Sequence, residues 1–273
     1  MLYSDLHTHT EFSFDSQASV FDMCEKACAM GLHTIAFTEH WDCLDPNYTP
    51  PYEDSKKYYN DHSAIAGQVV MNARERYNGR IRVLYAIELG QPNVTAEDSR
   101  KFLAANDFDF VLGSIHNAPS GEDYYYIDYK SRNADEILEE YYRMHFDMLK
   151  FGDFDSLGHL DYPIRVMKDY ITSADQTKFR DVIAEIVRMA ADQGIALEIN
   201  TNGLRNWFNR LSPQPWVLEL YRSFGGEIVT LGSDAHKPEH VGLGIREAYD
   251  LAASCGLKVA VSYEKRKPII SNL

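Results

Sequence analysis

Seven short β-rich runs recur along the chain, at residues 2–7, 34–38, 81–88, 108–116, 154–159, 195–200 and 227–234, with a weaker eighth at 258–263. Longer helical patterns lie between them. The stretch 20–30 stops at Gly31, 55–78 at Gly79 and 174–193 at Gly194. Glycine accepts the left-handed conformation just past a helix end. Asn133 with Glu136 three residues on reads as a capping box, opening a helix that runs to about Lys150. Strands that alternate with helices lie parallel and are joined by crossovers. No repeat, low-complexity tract or Gly/Ser/Pro linker divides the 273 residues. Residues 1–273 are therefore expected to form one α/β domain, built as a closed or nearly closed barrel. The alternative is an open doubly wound sheet. Its dinucleotide-binding version is weakened, because no Gly-x-Gly-x-x-Gly follows any run.

The runs share a second property: each ends at a polar residue fit for ligation or proton transfer. His7 and His9 follow the first, Glu39 and His40 the second. Glu88, His116, His159 and Asn200 end the next four, and Asp234 and His236 follow the seventh. In a βα barrel all strand C-termini open on one face, so these distant residues converge. Imidazoles suit zinc, iron and similar ions, and carboxylates can bridge two ions, so the set fits a multinuclear metal centre. His7 and His9 share a side of an extended chain and can meet one ion. A lone buried histidine is ordinarily a hydrogen-bonded core residue, and His33, His62, His145 and His240 are read that way. His62 and His240, in or near long loops, could instead line a pocket. Five strand ends carrying histidine, with Glu88 and Asp234 beside them, are not explained by core packing.

Lys and Arg number 27 against 41 Asp and Glu, a formal charge of −14. A surface of that sign repels phosphate backbones, so no nucleic-acid partner is expected; bound cations would offset part of it. No apolar run approaches the roughly 18 residues of a membrane span. The start, MLYSDLHTHTEF, has neither the basic nor the apolar segment of a signal peptide. No membrane association and a cytoplasmic location are expected. Cys24, Cys28, Cys43 and Cys255 form no Cys-x-x-Cys pair and are expected to be free thiols. Cys24 and Cys28 lie four apart on a helix, where core packing is a better reading than a metal pair.

The motifs Asp5-Leu6-His7-Thr8-His9, Thr38-Glu39-His40, Glu88-Leu89-Gly90, Gly113-Ser114-Ile115-His116, Gly158-His159-Leu160-Asp161 and Gly232-Ser233-Asp234-Ala235-His236 occur in that order. In content and order they resemble the polymerase and histidinol phosphatase (PHP) superfamily. The resemblance implies a distorted TIM-like (β/α)7 barrel with its site at the C-terminal ends of the strands. It also implies up to three divalent ions, zinc, manganese or iron. On the family pattern His7, His9, Glu88 and Asp234 hold the first ion. Glu88 bridges to a second, also held by His116 and His159. Asp15, His40 and His236 hold the third, with Asp15 standing where many members have histidine.

The stretch from Asp5 to Ser13 and the segment from Gly158 to Arg165 resemble the histidinol-phosphatase branch. That implies hydrolysis of a phosphate monoester, L-histidinol phosphate of histidine biosynthesis, by a hydroxide held between two ions and attacking phosphorus in line. Arg165 and Arg205 follow the fifth and sixth runs. A guanidinium fork matches phosphate oxygens, so both are expected to clamp phosphate and neutralise charge in the transition state. The other reading is an ion pair with acids such as Asp161. Asp234, His236 or a bound water is expected to serve the leaving group. Glu11, Asp161 and loop tyrosines are candidates to hold the amino and imidazole groups. The segments 41–62 (Trp41, Tyr48, Tyr52, Tyr58, Tyr59) and 117–132 (Tyr124, Tyr125, Tyr126, Tyr129) either cover the site and pack on a substrate ring or simply cover loop backbone. Two alternatives remain: a broader PHP phosphoesterase acting on nucleotides or oligonucleotides, and a metal-binding regulatory module without catalysis. The full ligand set weighs against the second. No oligomeric state follows from the sequence.

Overall fold

Strands buried on both faces read as nearly continuous apolar runs, and Arg-Val-Leu-Tyr-Ala-Ile-Glu-Leu-Gly is such a run. The computed structural model describes residues 2–170 and 175–270. In chain order the elements are β1 (Ser4–Thr8), α1 (Val20–Ala29), β2 (Thr34–Asp42), α2 (Ser55–Arg76), β3 (Arg82–Gly90), α3 (Ala96–Ala104), β4 (Phe110–Ser114), α4 (Ala134–Phe151), β5 (Ser156–Leu157), α5 (Arg180–Gln193), β6 (Ala196–Asn200), α6 (Pro215–Ser223), β7 (Ile228–Gly232), α7 (Ile245–Ser254), β8 (Lys258–Glu264) and β9 (Lys267–Ile270). The strands lie in sequence order. Neighbours are parallel from β1 to β8, and β9 returns antiparallel to β8. A doubly wound sheet reverses its strand order part-way, and this one does not.

The curled sheet meets itself at a seam. β1 returns to the end of β7 through one bridge, Thr8 to Ala235. The Asp234 N–H donates to His7 O at 2.8 Å and the His9 N–H to Ala235 O at 2.9 Å. Toward the other end β8 stands beside β1, where Ser4 Oγ donates to Val261 O at 2.5 Å. The barrel is thus distorted, with no continuous ladder across the seam.

Side-chain parity sorts the strands. Leu6, Ala36, Leu84, Ala86, Phe110, Leu112, Ala260 and Tyr263 form a small apolar plug inside the barrel. Residues of the other parity, such as Ile35, Val83, Ile87, Val111, Leu197 and Val229, join the larger core beneath the helices. Following the inner parity toward the strand ends leads from Ala36 to His40 and Asp42, from Ala86 to Glu88, and from Leu112 to Ser114 and His116. β1 breaks the rule usefully. Asp5 pairs with Ile35 but Thr8 with Phe37, so three steps on β1 oppose two on β2. This bulge leaves both Leu6 and His7 on the inner side.

Several boundaries differ from expectation. β2 continues past Thr38 to Asp42, which puts Glu39, His40 and Trp41 on the strand itself. β5 keeps only two residues. α5 begins at Arg180 after a 3-10 turn over Asp175–Phe179, and Ala174, its expected first residue, lies outside the described residues. Asn133 caps α4, its side chain accepting from Asp135 N. Glu136 meets only the Asn133 side-chain amide, at 3.5 Å, so the capping box is half formed. Three helices that the alternation implies but whose bounds the sequence did not supply, α3, α6 and α7, have nine or ten residues, too few turns for a clear period. The four cysteines are free thiols, with Cys24 in the core. No helix among the described residues is long and apolar enough to cross a membrane.

Candidate metal centre and active-site cavity

Glu88, fully buried at the end of β3, is the hub of the inner rim. Its Oε1 lies 2.8 Å from His159 Nε2 and 3.3 Å from His116 Nε2, and it accepts from Ser114 Oγ at 2.6 Å. Its Oε2 lies 2.9 Å from His40 Nδ1, 3.4 Å from His7 Nε2 and 3.5 Å from His9 Nε2. Asp234 Oδ1 stands 3.8 Å from His7 Nε2 and 3.7 Å from His9 Nε2. Asp15 Oδ2 stands 3.1 Å from His236 Nε2 and 3.6 Å from His40 Nε2. All nine expected ligands therefore come together, from seven segments of the chain. Asp234 adopts a left-handed backbone at φ 54, a conformation uncommon outside glycine that recurs at functional sites.

The geometry fits cations. His7 Nε2 and His9 Nε2 are 3.0 Å apart, and His116 Nε2 and His159 Nε2 are 3.2 Å apart. Tetrahedral zinc, with Zn–N of about 2.0 Å, sets its ligand atoms roughly 3.3 Å from each other. Glu88 Oε2 and His40 Nδ1 are buried and face each other at 2.9 Å without a well-directed hydrogen bond. Such atoms are costly unless an ion takes them up. Donor groups of ligating reach include His7–His9–Glu88, Glu88–His116–His159 and His9–His40–His236.

Behind the expected ligands stand residues that aim them. His7 Nδ1–H donates to Glu198 Oε1 at 2.6 Å, which turns Nε2 inward. Glu198 Oε2 also accepts from the His159 N–H at 2.8 Å. Asp42 Oδ1 does the same for His116 Nδ1 at 2.6 Å, while Ser55 Oγ donates to Asp42 Oδ2 at 2.6 Å. Ser13 Oγ lies 3.2 Å from His9 Nδ1 and donates to Glu39 Oε2 at 2.5 Å. Outer partners of this kind fix the imidazole tautomer and raise ligand basicity. Glu198, Asp42 and Ser13 escaped the sequence reading. Parity would have found two of them: Glu198 precedes Asn200, and Asp42 follows His40, by two residues.

Burial penalises every charge here, and the partners decide the outcome. Burial opposes the His7 imidazolium, yet Glu198, Glu88 and Asp234 hold its pKa well above the usual value. Asp42 and Glu88 likewise overcome burial at His116, raising it to about 10. Glu88 and Asp234 resist burial and sit well below the carboxylate range, Glu88 through His7, His116 and His40, Asp234 through Arg165 and His7. Burial and the neighbouring His40 and His236 keep His9 well below its usual value.

Above the rim opens a cavity of about 400 Å³, the size of a small-molecule site. Asp15, His40, His116, His159, Asp234 and His236 floor it, and Tyr52, Tyr125, Tyr126 and Tyr162 wall it. Arg165 lines it too, with Nη1 2.6 Å from Asp234 Oδ2. Arg205 is not among the lining residues. Its Nη2 donates to Ser233 O at 2.7 Å, and its Nη1 is buried without a partner. Glu11 and Asp161 also fall outside the lining. Glu11 accepts from Val20 N at the start of α1. Asp161 is buried among Ser212, Gln176 and Arg210. Of the tyrosines, Tyr59, Tyr124 and Tyr129 belong to the core, and Tyr48 packs over Gly121. Trp41 also belongs to the core and stacks on Phe102. Tyr58 hydrogen-bonds to Glu11 O. His62 bonds Tyr58 O, His145 bonds Tyr141 O and His33 meets Thr34. His240, in a 3-10 turn, does not line the cavity either.

Comparison with known proteins accords with this geometry. A PHP domain model matches residues 5–202. A "Probable histidinol-phosphatase" of Clostridium acetobutylicum is 30% identical over 268 residues, covering 96% of this chain and 97% of its own. The "Histidinol-phosphatase" of Lactococcus lactis is 28% identical over 275 residues, covering 96% and 95%. The crystal structure of histidinol phosphate phosphatase from Lactococcus lactis, complexed with zinc, L-histidinol and phosphate, superposes with a TM-score of 0.80. It is 25% identical and covers 99% of both chains.

Proposed function

The chain belongs to the PHP domain family, and from that premise we propose that it is a metal-dependent phosphate monoester hydrolase acting on L-histidinol phosphate, in histidine biosynthesis. One observation carries the reading: Glu88 presents one oxygen to His116 and His159 and the other to His7, His9 and His40. On this reading His7, His9, Glu88 and Asp234 hold one divalent ion, and Glu88, His116 and His159 a second. Asp15, His40 and His236 hold a third, and zinc, manganese or iron suits such donors. When bound, the ions supply Lewis acidity and lower the pKa of coordinated water.

The chain's own residues do the rest. Arg165, reaching the cavity beside Asp234, binds the substrate phosphate and meets charge developing on its oxygens. Arg205 holds the 233–234 backbone in place from behind the cavity. Asp234 and His236, 3.6 Å apart, are placed to hold the proton for the leaving alkoxide. The 400 Å³ cavity suits a small ester. Residues 1–273 are read as one domain, supported by the sheet that runs from β1 to β9. Four free thiols support a reducing, cytoplasmic setting. The test is phosphate release by the purified protein with manganese or zinc, from L-histidinol phosphate and from nucleoside monophosphates side by side. Strong preference for L-histidinol phosphate is expected. Equal rates would favour a broader phosphoesterase, and no release from any ester would end the reading.

A further inference from the structure

Four carboxylates line the cavity: Asp15, Asp42, Asp123 and Asp234. Three already face a cation-forming nitrogen. Asp15 meets His236 at 3.1 Å, Asp42 meets His116 at 2.6 Å and Asp234 meets Arg165 at 2.6 Å. Asp123 forms no ion pair with any described residue, and His116 acts on it only through space. It is 8% exposed. Its Oδ1 accepts from the Tyr125 N–H at 2.8 Å and from the Tyr162 O–H at 3.2 Å, both uncharged donors. Its Oδ2 receives no hydrogen bond from a described residue. The backbone around it is set by a bridge to Asn117 and by Tyr124 N–H donating to His116 O at 2.9 Å. A buried, unpaired carboxylate is costly unless a cation reaches it.

The surroundings fit such a cation. Tyr52 and Tyr126 stack with centroids 5.2 Å apart, and Tyr125 stands edge-on to Tyr126, giving π faces near the acid. Tyr162 joins the two ends of the cavity. Its hydroxyl reaches Asp123, its ring packs 5.0 Å from His116, and Arg165 lies over it at 5.1 Å. The cavity is therefore bipolar, with a guanidinium on one side of Tyr162 and a lone carboxylate on the other.

We propose that Asp123 is a specificity-determining residue: its free oxygen takes the ammonium or imidazolium of a cationic phosphate ester whose phosphate lies toward Arg165. This rests on the phosphatase reading and adds what selects the substrate. It also replaces Glu11 and Asp161, which lie outside the cavity lining. Phosphate release is measured for the native protein, Asp123→Asn and Asp123→Glu in saturating manganese, with L-histidinol phosphate and with p-nitrophenyl phosphate, which carries no cation. L-histidinol binding is followed by calorimetry. In Asp123→Asn the preference for L-histidinol phosphate, as a ratio of kcat/KM, falls about tenfold or more, mainly through KM. L-histidinol binding weakens to match, and Asp123→Glu keeps most of the preference. Equal losses on both esters, or unchanged L-histidinol binding, overturn the proposal. If the native protein hydrolyses neither ester, the phosphatase reading fails, and calorimetry with L-histidinol decides on Asp123 alone.

Discussion

Glu198 does not line the active-site cavity, yet it holds His7 by Nδ1 and His159 by its backbone N–H. Glu198→Gln keeps the shape but not the charge and offers His159 N–H an amide where a carboxylate stood. Metal affinity is expected to fall about 10- to 100-fold. A zinc competition titration checks this, and native affinity in the variant would remove Glu198 from the centre. His145 shows the opposite use of burial. Its Nδ1–H donates to Tyr141 O at 3.0 Å, its Nε2 is buried without a partner, and burial lowers its pKa to about 4. The folded state keeps this ring neutral while the unfolded chain protonates near 6.5. Its contribution is therefore fully present above that pH and is lost as pH falls toward 4. Linkage puts the loss at about 3 kcal/mol by pH 4. Urea midpoints of native protein and His145→Phe should diverge below pH 6.5, the variant losing less; parallel curves would refute this.

At the level of elements, β1 and β7 together build the first pair of proposed ligands. The β1 bulge brings His7 to the inner face, and Gly232 at the end of β7 leaves room for it. A Cβ on Gly232 would collide with His7 Cβ and with Glu198 Oε1. Gly232→Ala must therefore push the His7–Glu198 pair aside. The expected cost is about 1–3 kcal/mol of stability, with weaker metal binding. Urea unfolding and metal analysis of one sample check both, and a variant with native metal content would show that the strand can yield. Parity along the strands was readable in advance. The bulge was not, because it exists only as a mismatch of pairing between β1 and β2. α6 escaped for a different reason: it opens on Pro215, which looks like a break but is well placed in a first turn.

For the whole molecule, the proposed ligands come from both ends of the chain, from His7 to His236, so bound ions would tie the barrel across its seam. Ions that bind only the folded state stabilise it by mass action, about 2.7 kcal/mol at a hundredfold excess over Kd. Chelation should lower Tm by roughly 5–10 °C for a protein of this size, and restored zinc or manganese should recover it. An unchanged Tm would argue against ions at the rim. The alternation of strand and helix, the convergence of strand-end histidines and the acids among them were all legible in the sequence. Period and side-chain chemistry are local properties. The pairing of the acids was not legible. Whether Asp15, Asp42 and Asp234 have cationic partners while Asp123 has none among the described residues depends on distances between segments far apart in the chain. The same holds for Arg205 lying behind the cavity and for Asp161 sinking into a buried polar cluster. Sequence by itself determined which groups reach the rim, and only the tertiary structure decided which of them are already satisfied there.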